Sequence, residues 1–255
     1  HRLRTLKTMN PSYNPNIIPK PEPIGFVRTL NNMGYMTSGL DPYSQAFVDF
    51  APSAPGPCLD VGAAYGVASL NALSNGAKVI ANDIDERHLE ILRSRALERL
   101  RERLTLMPGS FPDGITFAPG TLGAVLVCRV MHFFDGPTIE RAAVKIMSWL
   151  APGGKVFVVG ETPFIGTAKA FFPTYEARVK AGDPWPGIVE NVVAHDPGRA
   201  GNLPSRMHLL DEATLKRVFS GAGFTIEKLG TFARPEFPPD IQLDGRESVG
   251  LIARK

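Results

Sequence analysis

The chain has 255 residues, with 28 Lys or Arg against 25 Asp or Glu, and a formal charge of +3. Five of the basic residues (Arg2, Arg4, Lys7, Lys20, Arg28) fall in positions 1–40 against one acid, Glu22, leaving a body of 23 basic and 24 acidic residues. That neutral body argues against a nucleic-acid groove, and no apolar run approaches the ~20 residues of a membrane span.

Only two cysteines occur, Cys58 and Cys128. They open one expected strand and close another, so in a parallel sheet they point opposite ways and do not suit a disulfide. The reading is a reduced, cytoplasmic protein. Its start at His1 rather than Met reads as trimmed or replaced.

In chain order, residues 1–30 are rich in Pro and Asn and read as an extended arm. The segment Asn31–Leu40 reads as a loop or short helical turn, so that 1–40 forms an N-terminal extension. Asp41-Pro42 is an N-cap followed by proline at the first helical position. Cys58–Val61 is a short apolar strand that runs into Gly62-Ala63-Ala64-Tyr65-Gly66 and a helix from Val67. Such a glycine turn brings bare backbone and helix N–H groups close to a ligand. Lys78–Asp83 is a second strand, and an acid at its tip is where a fold of this type holds a ribose diol.

Asp85 caps a helix expected to run from Glu86 to about Arg103, with Leu89, Leu92, Ala96 and Leu100 as its buried stripe. The arginines at its end suit the helix macrodipole. Leu104–Met107 and Gly123–Cys128 read as a third and a fourth strand. A helix follows from Pro137 to Leu150, then the turn Ala151-Pro152-Gly153-Gly154 and a fifth strand, Lys155–Gly160. Thr162–Arg206 is rich in Pro, Gly and aromatics, and is placed where a lid over the crevice would sit. A helix over Asp211–Gly221 and two strands, Phe224–Leu229 and Ser248–Ala253, close the chain. No long helix fits between those strands, so they are expected to pair antiparallel. The strict alternation before them implies a parallel sheet covered on both faces.

These segments resemble the class I S-adenosylmethionine-dependent methyltransferases over roughly Asp41 to Lys255. Leu59-Asp60-Val61-Gly62-Ala63-Ala64-Tyr65-Gly66 resembles the family's acid-x-Gly-x-Gly-x-Gly motif, with Ala64 at its middle glycine. Its methyl is expected to keep that position out of the positive-φ conformation. The resemblance implies an α/β, Rossmann-like three-layer sandwich: a mostly parallel seven-stranded sheet, a C-terminal antiparallel hairpin, and a lid inserted at about 162–207 in a domain spanning 41–255. It also implies a cofactor, S-adenosylmethionine, released as S-adenosylhomocysteine.

By the same resemblance Asp60, Gly62, Ala64 and Gly66 form the cofactor turn, Asp83 holds the ribose, and Ile84 lies beside the adenine. Ser110 and Phe111 fall where the family reads the adenine amino group. Arg129 lies in the segment whose backbone carbonyl holds the methionine ammonium. Ser38 and Tyr43 precede the first strand, where related enzymes lay a segment over the cofactor. Leu150-Ala151-Pro152-Gly153-Gly154-Lys155 resembles the turn before the family's fifth strand. A nicotinamide or flavin enzyme needs Gly-x-Gly-x-x-Gly, whereas Gly62 and Gly66 have no glycine between them.

His132, after the fourth strand, has the intrinsic pKa of a general base, and Glu161, at the tip of the fifth, faces the same crevice. These two are the catalytic candidates. His195 and His208 are weaker ones, and Tyr175 and Trp185 are aromatics that either wall a planar substrate or form a satellite core. The Asn/Asp-Pro-Pro-Tyr/Phe motif of nucleic-acid amino-methylating enzymes is absent, and no metal-ligand spacing occurs. The neutral body and aromatic lid favour a small organic acceptor, ahead of a protein side chain and then RNA. A catalytically silent binding protein is the alternative from another class.

Overall fold

The computed structural model describes residues 26–255. Most of the expected N-terminal arm, residues 1–25, lies outside the described residues. The first described element is a hairpin, β1 (Phe26–Arg28) and β2 (Tyr35–Thr37), paired antiparallel. The segment from Asn31 is therefore part of a hairpin and not a helical turn. Two three-residue strands are too short to show an alternating pattern in the sequence.

α1 (Pro42–Phe50) follows, with the Asp41 carboxylate accepting from the Tyr43 and Ser44 amides at 2.9 and 3.0 Å. Next come β3 (Cys58–Val61), α2 (Val67–Ser74), β4 (Val79–Asp83), α3 (Glu86–Arg95), β5 (Leu104–Pro108), β6 (Leu122–Cys128), α4 (Gly136–Trp149) and β7 (Leu150–Glu161). α3 stops eight residues short of the expected end. The backbone turns extended at Ala96, and the Arg101 side chain donates to the Ala96 and Ser94 carbonyls that a continuing helix would have used. Residues 98–103 form a short 3₁₀ turn, from which Arg103 donates to the Leu73 and Ala77 carbonyls at the end of α2. The arginine cluster thus serves helix ends, as the macrodipole favours.

The remaining elements are α5 (Phe172–Lys180), β8 (Ile188–Val189), α6 (Val192–His195), β9 (Met207–His208), α7 (Glu212–Gly221), β10 (Thr225–Phe232) and β11 (Ser248–Arg254). The main sheet has seven strands in the order β10-β11-β7-β6-β3-β4-β5, and β11 runs antiparallel to both neighbours while the others are parallel. This is the doubly wound, three-layer architecture with its closing antiparallel strand.

The alternation of side chains along β6 and β7 separates the two faces. Val125, Val127, Val156 and Val158 join Ile139 and Ile146 of α4 and Leu215 and Phe219 of α7. Ala124, Leu126 and Phe157 pack instead on Phe47 of α1, Leu73 of α2 and Leu92 of α3. Fully buried side chains of this size contribute roughly 1.5–3 kcal/mol each. A third cluster, distinct from both, joins Phe26 of the hairpin to Phe171 and Tyr175 of the inserted segment and to Phe237. Cys58 and Cys128 are both free, at opposite ends of paired strands. Among the described residues, no helix is long and apolar enough to cross a membrane.

Candidate active site

The carboxyl ends of β3, β4 and β6 open on one crevice. The chain leaves β3 through Gly62 (φ 65°), Ala64 (φ 46°) and Gly66 (φ 87°). Ala64 therefore adopts the left-handed conformation that its methyl was expected to exclude. The turn is held by its neighbours: the Ala64 amide donates to Asp83 Oδ2 at 2.9 Å, and the Gly66 amide to the Ala63 carbonyl at 2.8 Å. At Gly66 any Cβ would stand 2.5 Å from Leu92 Cγ, so that glycine lets α2 close on α3.

Asp60, at the end of β3, is buried and accepts from the Ser69 amide (3.1 Å) and hydroxyl (2.6 Å) in α2. Burial pushes its carboxyl up to about 6, against the pull of those two bonds and with the Asp83 charge adding to the rise. Asp83 Oδ1 accepts from the Asp85 amide at 2.9 Å and meets His88 Nδ1 at 3.0 Å. The next residue back, Asn82, donates to the carbonyls of Met107 and Gly109, both at 2.9 Å, and so fixes the loop carrying Ser110 and Phe111.

The β1–β2 hairpin forms the outer wall. The Tyr65 hydroxyl donates to the Arg28 carbonyl at 2.8 Å, and the Leu30 amide donates to His88 Nε2 at 3.0 Å. The cavity at the strand ends, open on one side, is about 230 Å³. Its walls carry three carboxylates, Asp41, Asp60 and Asp83, against one guanidinium, Arg129. Arg129 is itself committed: Nε donates to Glu161 Oε1 at 2.5 Å, and Nη1 to the Tyr35 carbonyl at 2.9 Å. A crevice of this charge suits a cation and opposes a pyrophosphate.

Beside Arg129, His132 Nδ1 stands 3.4 Å from Glu161 Oε2, and neither atom has a hydrogen-bond partner although both side chains are buried. Burial alone would raise the Glu161 carboxyl. The Arg129 guanidinium, with His132 and Arg234, instead holds it far below the usual carboxylate range. Behind this group lies a second chamber of about 70 Å³, walled by the hairpin, the inserted segment and the loop before β11. Tyr35, Arg129, Leu203 and Met207 line both spaces.

Residues 58–154 match a family described as a methyltransferase domain. The chain has the class I methyltransferase fold. The chain is similar, at 28% identity over 125 residues, to the 3-amino-4-hydroxybenzoate 4-O-methyltransferase of Streptomyces cremeus. That match spans 46% of this chain and only 33% of the Streptomyces enzyme, so it covers about a third of that relative's length. The same architecture occurs in a solved S-adenosylmethionine-dependent methyltransferase of Methanosarcina mazei, with TM-score 0.63 and 16% identity, covering 85% of this chain and 98% of that one. It also occurs in the glycopeptide N-methyltransferase MtfA complexed with S-adenosylmethionine, with TM-score 0.54 and 18% identity, covering 82% and 91% of the two chains.

Of the residues singled out from sequence, Asp60, Gly62, Ala64, Asp83, Ile84, Ser110, Phe111, Arg129 and His132 all line the cavity. Ile84 is 59% exposed, an apolar face set at the mouth of the crevice. Gly66 lies behind the wall. Ser38 is exposed and does not line the cavity, while its neighbours Thr37 and Gly39 do. Tyr43 is also absent from the walls. It turns toward the sheet, with its ring 5.3 Å from that of Phe232 and packed over Gly250, while Asp41 and Ser44 of the same turn face the crevice. Glu161 lines the second chamber, as does His195.

His208 Nδ1 donates to the Phe134 carbonyl at 3.1 Å, and burial lowers the pKa of the ring. The Tyr175 hydroxyl donates to Asp211 at 2.7 Å, and Trp185 packs on Gly136 and under Arg217, so both anchor the inserted segment. The residues missed from sequence are His88, Asn82 and Asp41. For His88 a signal existed: it is the third residue of a helix capped by Asp85, the position whose side chain folds back over the helix start.

Proposed function

We propose that the chain transfers the methyl group of S-adenosylmethionine to an oxygen of a small organic molecule. The observation that carries the reading is the acid-walled crevice at the strand ends, where Asp60 and Asp83 are buried beside a left-handed backbone turn. Those two carboxylates and the turn fit a cofactor with a cationic methionine end and a ribose diol. They do not fit a dinucleotide.

Asp83 would hold the ribose, for which its carboxylate retains acceptor capacity beyond its three protein contacts. Ile84 and Phe111 would flank the adenine, with Ser110 toward its amino group. Asp60 would face the methionine end, where a cation draws its carboxyl back toward the charged form. Bound there, the cofactor would supply a methyl group already activated on a sulfonium, with S-adenosylhomocysteine as the leaving group.

The chain's own part is to orient the acceptor, exclude water and take a proton. Glu161 is placed to draw the Nδ1–H of His132, which leaves Nε2 to accept the proton of the acceptor hydroxyl. Arg129 keeps Glu161 ionised for that task. The hairpin and the inserted segment at about 162–207 would form the two covers of a catalytic domain that runs from residue 41. The name of the Streptomyces relative, an O-methyltransferase of a small aromatic, supports the acceptor class.

Calorimetric titration with S-adenosylhomocysteine, with NAD as control, tests the cofactor. Micromolar binding of the first alone is expected, and Asp83→Ala should weaken it by about 1.5–3 kcal/mol. Binding of NAD alone would overturn the reading.

A further inference from the structure

The turn of the β1–β2 hairpin covers part of the crevice, and one buried imidazole holds that turn down. We infer that His88 is a proton-operated latch: its neutral ring keeps the hairpin turn on the crevice, and its protonation releases the turn and weakens the hold on the molecule bound beneath. The latch rests on hydrogen bonds and burial in the chain itself. Only the identity of the molecule it retains, S-adenosylmethionine, rests on the proposed methyl transfer.

The turn is a small body in itself. The Thr29 amide and hydroxyl both donate to the Gly34 carbonyl, at 3.0 and 2.9 Å, and Asn32 stands between them in the left-handed region (φ 56°). Thr29, Asn31, Met33 and Gly34 line the crevice. The strands below the turn are fastened by groups that keep their charge near neutral pH. The Arg28 carbonyl accepts from the Tyr65 hydroxyl, the Tyr35 carbonyl accepts from Arg129, and Val27 and Met36 pack with Tyr65 and Ile91. The turn itself is tied down at Leu30. Its side chain joins the same apolar patch, its carbonyl accepts from the exposed Arg87 at 3.4 Å, and its amide donates to His88 Nε2 at 3.0 Å.

That last bond depends on the proton count of the ring. An amide nitrogen is only a donor, so the bond exists only while Nε2 carries no proton. A proton arriving there sets one N–H against another. The bond on the other side of the ring gains, because Nδ1–H, 3.0 Å from Asp83 Oδ1, then belongs to a cation facing a carboxylate. The charged ring therefore stays with Asp83, and the contact that gives way is the one to the hairpin. Closure of the turn and protonation of the ring exclude each other, so acid favours the open turn.

The groups around the ring support a proton there. Asp83 of β4 and Asp85 at the start of α3 are both acids, and the Asp85 carboxylate feels the charge of the imidazole. Arg87 of α3 is exposed, and its guanidinium is taken by Asp85 at 2.9 Å. Tyr65 of the glycine turn stays neutral, with burial pushing its hydroxyl up to about 12, and Arg28 of the hairpin is exposed. Imidazoles exchange their proton between about pH 5 and 8.

The test follows the ring and the turn together by NMR of the full chain at about pH 8 and about pH 5.5. Nitrogen-15 ring spectra should show the His88 proton on Nδ1 alone at the higher pH and protons on both nitrogens at the lower one. The heteronuclear NOEs of residues 29–34 should fall with that change. Calorimetry with S-adenosylhomocysteine should show a loss of affinity across the same range. Asp60, raised to about 6 by burial, changes charge there as well, so His88→Gln is the control. Its amide offers a donor to Asp83 and an acceptor to Leu30 and does not titrate. The wild-type loss should exceed the His88→Gln loss at least tenfold, and the turn should stay ordered in that variant at both pH values. A turn equally ordered on both sides of the ring's titration, a ring still neutral at the lower pH, or the same loss of affinity in His88→Gln would each overturn the inference. Should His88→Gln fail to fold, the wild-type ring and turn measurements decide alone. A turn that follows the ring in a chain without affinity for S-adenosylhomocysteine would uphold the latch and overturn the methyl-transfer reading instead.

Discussion

His88 joins the carboxylate of Asp83 to the backbone of Leu30 through the two nitrogens of one buried imidazole, each at 3.0 Å. The roles of the two nitrogens are fixed by chemistry. An amide can only donate, so Nε2 accepts from Leu30, and the ring proton must sit on Nδ1 and point at Asp83. The hairpin that walls the crevice is thereby connected to the carboxylate proposed to hold the ribose. Tyr65, from the glycine turn, packs edge-on against the same ring at 5.3 Å and donates to Arg28 on the other side.

Replacing His88 by Phe keeps the ring contact with Tyr65 and removes both hydrogen bonds. The Leu30 amide is then left without its partner, and Asp83 loses one of three. Leaving a buried polar group unsatisfied costs about 1–3 kcal/mol. We expect a loss of that size in urea unfolding and about tenfold weaker binding of S-adenosylhomocysteine. Unchanged affinity in a folded His88→Phe variant would break the link between hairpin and ribose site.

Asp60 makes the stability of the fold depend on pH in an unusual direction. Its folded pKa of about 6 lies above its ordinary value of 3.8, chiefly through burial. Between those values the folded chain binds more protons than the unfolded one, so this group makes the protein more stable as pH falls. Glu161 has the opposite sign: its folded pKa is depressed, so its contribution is full above its ordinary value of 4.5 and fades only in stronger acid. Between pH 5 and 6.5 Glu161 contributes a constant amount, while His208, whose pKa burial lowers, acts against Asp60, so the comparison with Asp60→Asn is what isolates the carboxyl. Wild type should gain about 1 kcal/mol relative to Asp60→Asn on moving from pH 6.5 to pH 5, read from urea midpoints at the two pH values.

The sheet was legible because its strands are unbroken apolar runs such as Leu122–Cys128, and because Asp60 and Asp83 end two of them beside a glycine turn. Contacts made across long separations were not. Nothing near Leu30 announces that its amide will meet residue 88, and the three-residue strands of the hairpin carry no period. The end of α3 was misread because Leu100 continues the helical stripe, whereas Arg101 folds back onto carbonyls that the helix would have needed. Tyr43 fell on the right turn and the wrong face. One residue of rotation about a helix start decides whether a side chain meets the crevice or the sheet.

Ala64 tests how firmly the cofactor turn is held. A non-glycine residue in the left-handed region costs roughly 1–2 kcal/mol. Glycine would relieve that cost, but it loses the buried methyl and adds freedom to the unfolded chain, together a similar amount. Ala64→Gly should therefore unfold within about 1 kcal/mol of wild type and keep its cofactor affinity. Ala64→Val, branched at the strained position, should lose about 2 kcal/mol or more and bind S-adenosylhomocysteine poorly. If valine is tolerated like glycine, the left-handed geometry at this position is wrong.

His132 is expected to act on turnover and not on cofactor binding. Removing a positioned general base lowers rate by about 10²–10⁴-fold. With an acceptor in hand, His132→Gln should lower kcat by that factor while S-adenosylhomocysteine affinity stays within twofold of wild type. Loss of rate recovered at high pH, where the acceptor hydroxyl ionises unaided, would identify the missing function as proton removal. A variant with unchanged kcat would remove His132 from the chemistry.

The Arg129–Glu161 pair offers a test in which two lesions together should do less harm than one. Both side chains are largely buried, at 14% and 6% exposure, and the guanidinium is also held by Tyr35 and two aromatic rings. Arg129→Met removes the nearest cation and leaves Glu161 as a buried charge with only His132 and the Arg234 charge to offset it, which costs about 3–5 kcal/mol. Glu161→Gln in that background removes the charge and nearly restores the volume. The double variant should therefore be more stable than Arg129→Met alone, by about 1–3 kcal/mol, although both its methyl-transfer rate and its hold on the hairpin through Tyr35 stay impaired. A double-mutant cycle by urea unfolding measures the difference directly. Additive losses would mean that the two groups do not depend on each other in the folded chain, and Glu161 would then need another source for its charge.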